Sequence, residues 1–153
     1  MHTVSVSREI DAPIEAVWRV LDNFGGVATY NPNVETSRIV AGPESGPGAT
    51  RECLFEDGGR IEEQIVEYEP QTGYTVEFTD AGDFPLEANV VEIGVEPIDE
   101  TRTVVTTTSH FTPKYGPVGW ILAKVMMKSK FRDTFEEVLD GLDSYVHSVE
   151  KSA

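Results

Sequence analysis

Cysteine is nearly missing from this 153-residue chain. Cys53 stands alone, which excludes an internal disulfide and any cysteine-rich metal site; a buried, inert thiol is its expected state. Histidine is almost as sparse, and His2, His110 and His147 show no ligand spacing, so neither a zinc or iron site nor another cofactor is expected. Long hydrophobic runs are also absent. The longest apolar stretch, Pro117 to Met127, is interrupted by Lys124 and is too short to span a bilayer. The opening Met1-His2-Thr3-Val4-Ser5-Val6 alternates apolar and polar residues instead of placing a basic region before an apolar one. No secretory signal is read there, and a cytoplasmic location is expected. The loop Gly42-Pro43-Glu44-Ser45-Gly46-Pro47-Gly48 lacks the Lys-Ser/Thr ending of a phosphate cradle, and Ser5, Ser37 and Ser109 lack a nucleophile-elbow setting.

Positive charge is the other shortage: 12 Lys+Arg face 27 Asp+Glu, a formal net charge of -15. So negative a surface repels phosphate backbones, and nucleic acid is excluded as a partner. Acids occupy the polar half of nearly every predicted strand, so self-repulsion is severe unless salt screens it. The expectation is an acidic, halophilic proteome; the alternative is an ordinary acidic cytosolic protein. The 39% of hydrophobic residues nevertheless supports a packed core, and the length suits one domain over residues 1–153.

Val4, Val6 and Ile10 at alternate positions describe a first strand. Asp11-Ala12-Pro13-Ile14-Glu15 then carries helix-start signals, a capping-type acid and an early proline. Ile14, Val17, Trp18 and Leu21 fall on one helical stripe, Gly25-Gly26 supplies a stop, and Val27 to Tyr30 fits one more turn. Strands follow at Val34 to Val40, Ala49 to Glu56, Arg60 to Tyr68, Tyr74 to Thr79, Leu86 to Glu96 and Arg102 to Thr112, with connections short enough for antiparallel hairpins. A long final helix from Val118 to about Glu150 has Phe131, Phe135, Val138, Leu142 and Tyr145 at helical spacing. Gly141 within it costs about 1 kcal/mol relative to alanine. The order predicts an α+β fold in which a seven-stranded antiparallel sheet is covered by one C-terminal helix, with one or two short helices after the first strand.

The segment Ile10-Asp11-Ala12-Pro13-Ile14-Glu15-Ala16-Val17-Trp18-Arg19-Val20-Leu21-Asp22-Asn23-Phe24, continuing to Tyr30-Asn31-Pro32, resembles the opening of the START-like (SRPBCC) superfamily. The resemblance is to its polyketide cyclase/dehydrase and lipid-transport branch. The stretch from Tyr115-Gly116-Pro117-Val118-Gly119-Trp120-Ile121-Leu122 to Phe131-Arg132 and Leu139-Asp140-Gly141-Leu142 resembles that branch's final helix. The resemblance implies a helix-grip fold, with the curved sheet wrapped around the long helix and a cavity between them. The superfamily includes lipid carriers, hormone receptors, hydroxylase components and cyclases, so fold alone does not select the activity.

Candidate site residues follow from which strand faces look inward. Arg51, Cys53 and Phe55 share one strand face, Ile61, Glu63 and Ile65 another, and Tyr74, Val76 and Phe78 a third. Arg51 and Glu63, interleaved with apolar residues, are the acid and base expected to point into a cavity, where they orient a ligand carbonyl or hydroxyl or support enolisation. The alternative is a solvated charge or a cross-strand ion pair. His110, with Val104, Thr106 and Thr108 on its face, is a pocket-facing donor or base or else a hydrogen-bonded structural histidine. Pocket walls are expected from Tyr30, Phe55, Tyr74, Phe78 and His110, with Trp120, Leu122, Val125 and Met126 from the apolar start of the long helix; Tyr30, Pro32 and the loop around Gly46 border an entrance.

One interval reverses the sign of the chain. From Thr101 to Arg132 there is no Asp or Glu, while Arg102, Lys114, Lys124, Lys128, Lys130 and Arg132 are present. Lys124, Lys128 and Arg132 form one stripe, read as a guide for an anionic amphiphile or for transient membrane contact. A solvated helix face with Arg132 paired to Glu136 is the alternative. The primary functional expectation is binding or transport of a small hydrophobic or amphipathic, lipid-like or polycyclic molecule by a monomer or weak dimer. A cyclase/aromatase-like enzyme using Arg51, Glu63 or His110, and an accessory interaction module with a filled core, are the alternatives.

Overall fold

The computed structural model describes residues 2–114, 116–122 and 126–152, the side chains of residues 119, 120, 122 and 152 excepted. Seven strands form one antiparallel sheet: β1 (His2–Ile10), β2 (Val34–Ala41), β3 (Thr50–Phe55), β4 (Arg60–Glu69), β5 (Gly73–Asp80), β6 (Leu86–Asp99) and β7 (Arg102–Pro113). Their order is β1-β7-β6-β5-β4-β3-β2. Six strands thus run as a meander, and the first returns to pair with the last, Val4 opposite Ser109 and Ile10 opposite Thr103. The strand boundaries agree with the alternation of the sequence to within a few residues.

Helix α1 (Ile14–Asp22) buries Val17, Trp18 and Leu21 of the predicted stripe, together with Ala16 and Val20, while Ile14 is half-buried. Its start is different from the expectation. Pro13, extended at φ -66° and ψ 155°, is the capping residue, and no side chain caps the helix; the Pro13 carbonyl instead accepts from the Ala16 and Val17 amides. Helix α1 ends at Asp22, short of Gly25 and Gly26. A 3-10 segment follows over Phe24–Thr29, kinked at Gly26, which is non-helical at φ -95° and ψ 19°, and Gly25 comes so close to β2 that a Cβ there would lie 2.9 Å from Ile39 Cγ1.

The predicted final helix is described over two stretches, α2 (Gly116–Leu122) and α3 (Lys128–Ser152); its continuity between them falls on residues 123–125, which lie outside the described residues. Helix α3 lies on the inner face of the sheet with Leu139, Leu142 and Val146 fully buried. Burial of side chains of this size contributes about 1.5–3 kcal/mol each. Its polar side is tied down as well, since Arg8 of β1 bridges Asp140 at 3.1 Å and Asp143 at 2.9 Å and Asn33 donates to Glu137 at 3.2 Å.

Gly141 has a structural reason. A Cβ built on it would lie 2.0 Å from the carbonyl oxygen of Tyr30, so the absence of a side chain is what lets α3 seat against the Tyr30–Pro32 turn. No helix among the described residues is long and apolar enough to cross a membrane.

Candidate functional site

Inward-facing residues are identified by alternation in the strands. In β7 the buried set is Thr103, Val105, Thr107, Ser109, Phe111 and Pro113, and these register with Val4 and Ile10 of β1 and with Asn89, Val91 and Val95 of β6. Carried across the sheet, the inner face holds Tyr74, Val76 and Phe78 on β5, Ile61, Glu63 and Ile65 on β4, and Arg51, Cys53 and Phe55 on β3.

One cross-strand row on this face reads Ile39, Arg51, Glu63, Phe78. Arg51 and Glu63 are therefore direct neighbours within the interior, at 5% and 7% exposure. The guanidinium contacts Glu63 Oε2 through Nη2 at 2.6 Å and through Nε at 2.8 Å. Nη1 donates to the Phe24 carbonyl at 3.1 Å, and the guanidinium carbon sits 4.0 Å from the centre of the Phe24 ring. A solvated charge at either position is thus ruled out. The adjacent Glu62 looks outward and pairs with Arg60 at 2.7 Å, which resolves the two neighbouring acids by strand parity.

Tyr30 and Tyr74 complete a buried polar cluster. Their phenols act on each other electrostatically, and the Tyr74 hydroxyl lies 3.4 Å from the Leu21 carbonyl it donates to. Desolvation raises the pKa of both phenols above the ordinary tyrosine value, Tyr74 the more strongly. Burial also pushes the Cys53 thiol up to about 12, with Glu63 adding to the effect; this is the inert cysteine the sequence suggests. Burial works against the charge of Arg51, but Glu63 together with Tyr74, Cys53 and Tyr30 outweighs it and keeps the guanidinium protonated.

Around this cluster lie aromatic side chains that the fold turns inward without sealing. Phe55, Phe78, Phe84, Phe131 and Phe135 are all partly exposed. The fully buried apolar residues form two groups. The larger one spans α1, the sheet centre and the C-terminal half of α3; the smaller is Val4, Leu86 and Phe111, with Met127, Phe131 and Phe135 packed on it. Phe78 touches both. The Phe111 and Phe131 rings meet edge-on at 4.6 Å, Phe55 and Phe84 at 5.5 Å. A second buried polar pair, Ser109 Oγ donating to Asn89 Oδ1 at 2.6 Å, lies on the same face. The pair is not among the residues expected from the sequence, although Asn89 sits two residues from Val91 on an otherwise apolar strand face, the same signal that marks Arg51 and Glu63.

Two expected wall residues, His110 and Met126, belong elsewhere. His110 is on the outer face, where its Nδ1 is 3.1 Å from Thr3 Oγ1 and its Nε2 3.0 Å from Glu92 Oε1. It does not point into the helix-covered interior, because inward parity on β7 belongs to Ser109 and Phe111. Met126 is 64% exposed and forms no part of the inner wall. The side chains of Trp120 and Leu122, and all of Val125 and Lys124, lie outside the described residues. Gly46 is buried in a loop closed by an Ala49 N to Gly46 O bond of 3.1 Å. Tyr30 and Pro32 border a shallow hollow of about 340 Å³ with Gly141 and Tyr145. A larger open depression, about 450 Å³, lies on the outer face along Glu67, Thr75, Glu92, Gly94 and Thr108. Tyr74 is among the residues that line it but Arg51, Glu63 and Tyr30 are not, so its size does not make it the site.

The basic interval also has a definite arrangement. Arg8, Arg38, Arg51, Arg60 and Arg102 are each held in ion pairs. Lys114, Lys128, Lys130 and Arg132 form none among the described residues; in particular, Arg132 does not pair with Glu136. Beside them Val118, Ile121 and Met126 are 67%, 65% and 64% exposed, the highest values among the described large apolar residues.

A curved antiparallel sheet closed over a long C-terminal helix, with a polar cluster and unsealed aromatics on the inner face, is the helix-grip architecture of START-like proteins. Residues 1–147 match the family described as polyketide cyclase / dehydrase and lipid transport, and the chain belongs to that family. Among solved structures it is similar to the protein XoxI from Bacillus cereus, with 21% identity, 98% of this chain and 99% of that chain covered, and a TM-score of 0.78. A START superfamily protein from Mycobacterium smegmatis aligns with a TM-score of 0.81 at 17% identity, over 97% of this chain and 99% of that one. Norcoclaurine synthase from Thalictrum flavum aligns at 0.71 and 16% identity, over 95% and 86%. These likenesses establish the fold. Comparison with curated proteins returned no matching relative.

Proposed function

We propose that the protein binds a small hydrophobic or amphipathic molecule between the sheet and the helices. The observation that carries this reading is the set of five phenylalanines, Phe55, Phe78, Phe84, Phe131 and Phe135, turned toward the inner side yet left partly exposed. A core that only stabilised the fold would seal such rings, since each buries 150–250 Å² when covered (about that figure for aromatic side chains generally). Unsealed rings around a few polar groups are the usual composition of a ligand site. Family membership agrees with this reading. The test is mass spectrometry of organic extracts from protein purified in high salt without detergent. A stoichiometric apolar compound is expected, and it should be lost when Phe78→Trp fills the junction of the two apolar groups. Protein that is always empty and takes up no apolar probe would overturn the reading.

The exposed Val118, Ile121 and Met126, flanked by Lys114, Lys128, Lys130 and Arg132, which form no ion pair among the described residues, suit brief contact with an anionic membrane surface where ligand is exchanged. Charge reversal at Lys128 and Arg132 should weaken sedimentation with anionic vesicles at moderate salt. Unchanged sedimentation would remove this part of the reading.

A second reading, a cyclase-type enzyme, rests on the burial of Arg51 and Glu63 beside Tyr30 and Tyr74. A proton-transfer enzyme shows an ionisation in its pH–rate profile; turnover of an offered polyketone with such a profile would favour it over simple binding.

A further inference from the structure

The Arg51–Glu63 pair is lopsided. Both guanidinium contacts, Nε at 2.8 Å and Nη2 at 2.6 Å, end on the same oxygen, Oε2. Among the described residues none donates a hydrogen bond to Oε1. The arginine is occupied on its other side, with Nη1 on the Phe24 carbonyl and its plane against the Phe24 ring. Glu63 instead has Phe78 as its neighbour on β5, a ring that is partly exposed, and its own side chain keeps 10% exposure. A carboxylate oxygen has two lone pairs and only accepts. The polar atom this row presents beside the phenylalanines is therefore an acceptor backed by a charge that its arginine already balances.

We propose that the site selects neutral apolar alcohols or phenols, whose hydroxyl donates to Glu63 Oε1, over carboxylates of the same shape. The inference rests on the inner side being the ligand site. A carboxylate ligand would bring like charge to Oε1 with no free counter-ion. A ketone or ether would supply no donor and leave the acceptor desolvated and unpaired, and an ammonium would add a second cation to a pair already neutral.

Three probes of one shape test this at pH 7 by calorimetry on the wild-type chain: naphthalene, 2-naphthol and 2-naphthoate. The expected result is 2-naphthol about tenfold tighter than naphthalene, the gain typical of a hydrogen bond to a charged acceptor, and 2-naphthoate weaker than naphthalene. Binding of naphthalene or 2-naphthoate as tightly as 2-naphthol overturns the inference alone. Failure of all three to bind overturns the ligand-site reading and the inference with it. Glu63→Gln supplies a readout that a purely structural role would not move. The arginine retains the amide oxygen, the amide N–H2 turns to the ligand, and the preference shifts from 2-naphthol toward the acceptor 2-acetonaphthone. A folded Glu63→Gln protein with the wild-type preference refutes the assignment, and if that variant does not fold the wild-type series decides by itself.

Discussion

Replacing Gly141 with alanine sets helix propensity against tertiary fit, and the geometry says which wins. In an exposed helix interior the change would stabilise by about 1 kcal/mol. Here the new Cβ would lie 2.0 Å from the Tyr30 carbonyl oxygen and 3.4 Å from Pro32 Cδ, so helix and turn must separate by about 1.5 Å to reach an ordinary contact of about 3.5 Å. The obstacle is backbone, and that backbone is held: the amides of Tyr30 and Asn31 both donate to the Val27 carbonyl, at 3.2 and 2.9 Å. Overpacking costs about 1–3 kcal/mol, and with no side chain able to yield the upper end applies. After the propensity gain, Gly141→Ala should destabilise by about 2 kcal/mol, lowering Tm by about 4–8 °C for a chain of this length. Thermal and urea unfolding at fixed salt measure it, with Ser144→Ala, exposed on the same helix, as a control expected to stay within about 0.5 kcal/mol. A Gly141→Ala protein as stable as wild type or more so would refute the close approach.

The buried ion pair gives a second expectation. Arg51→Met or Glu63→Leu alone should cost about 3–5 kcal/mol by stranding a buried charge, while the double replacement should cost less than either; additive losses in a double-mutant cycle would contradict the pairing. Cys53, with its thiol pushed up to about 12, should resist alkylation at pH 8.5 until the protein unfolds, and modification at the rate of a free thiol would show it is accessible. The folded state favours the protonated thiol, so its contribution is intact below the unfolded value near 9 and is lost as pH rises toward about 12; Cys53→Ala should flatten part of that alkaline decline in stability. Finally, a net charge of -15 should make Tm rise as KCl increases from 0.1 to 2 M through screening of self-repulsion. A flat or falling Tm would argue against adaptation to salt.

Element order was legible because each strand alternates and each connection is short. Arg51 and Glu63 were legible for the same reason, being polar residues in phase with Cys53, Phe55, Ile61 and Ile65. His110 was not. Both faces of β7 carry valine and threonine, Val104, Thr106 and Thr108 on one and Thr103, Val105 and Thr107 on the other, so composition cannot choose the parity. The choice is made by β1, where Val4 pairs opposite Ser109. Gly141 was illegible in a different way, because its propensity cost is local and its reason, the Tyr30 carbonyl, is 111 positions earlier in the chain. The pairing of Tyr30 and Tyr74 has the same character: two aromatics that sequence treats as separate walls lie in one buried polar cluster with Arg51 and Glu63.

The seating of α3 is uneven along its length. Beyond Glu137 it is held by Asn33, by Arg8 through Asp140 and Asp143, by the buried Leu139, Leu142 and Val146, and by the bare backbone contact at Gly141. Ahead of that point its inward contacts are ring against ring, Phe131 on Phe111 and Phe131 beside Phe135. The helix is in mechanical terms a lever clamped at its far end. If the proposed ligand site is occupied, accommodation of molecules of different bulk would fall to the Lys128–Glu136 arm, with the sheet and the C-terminal turns left unaltered.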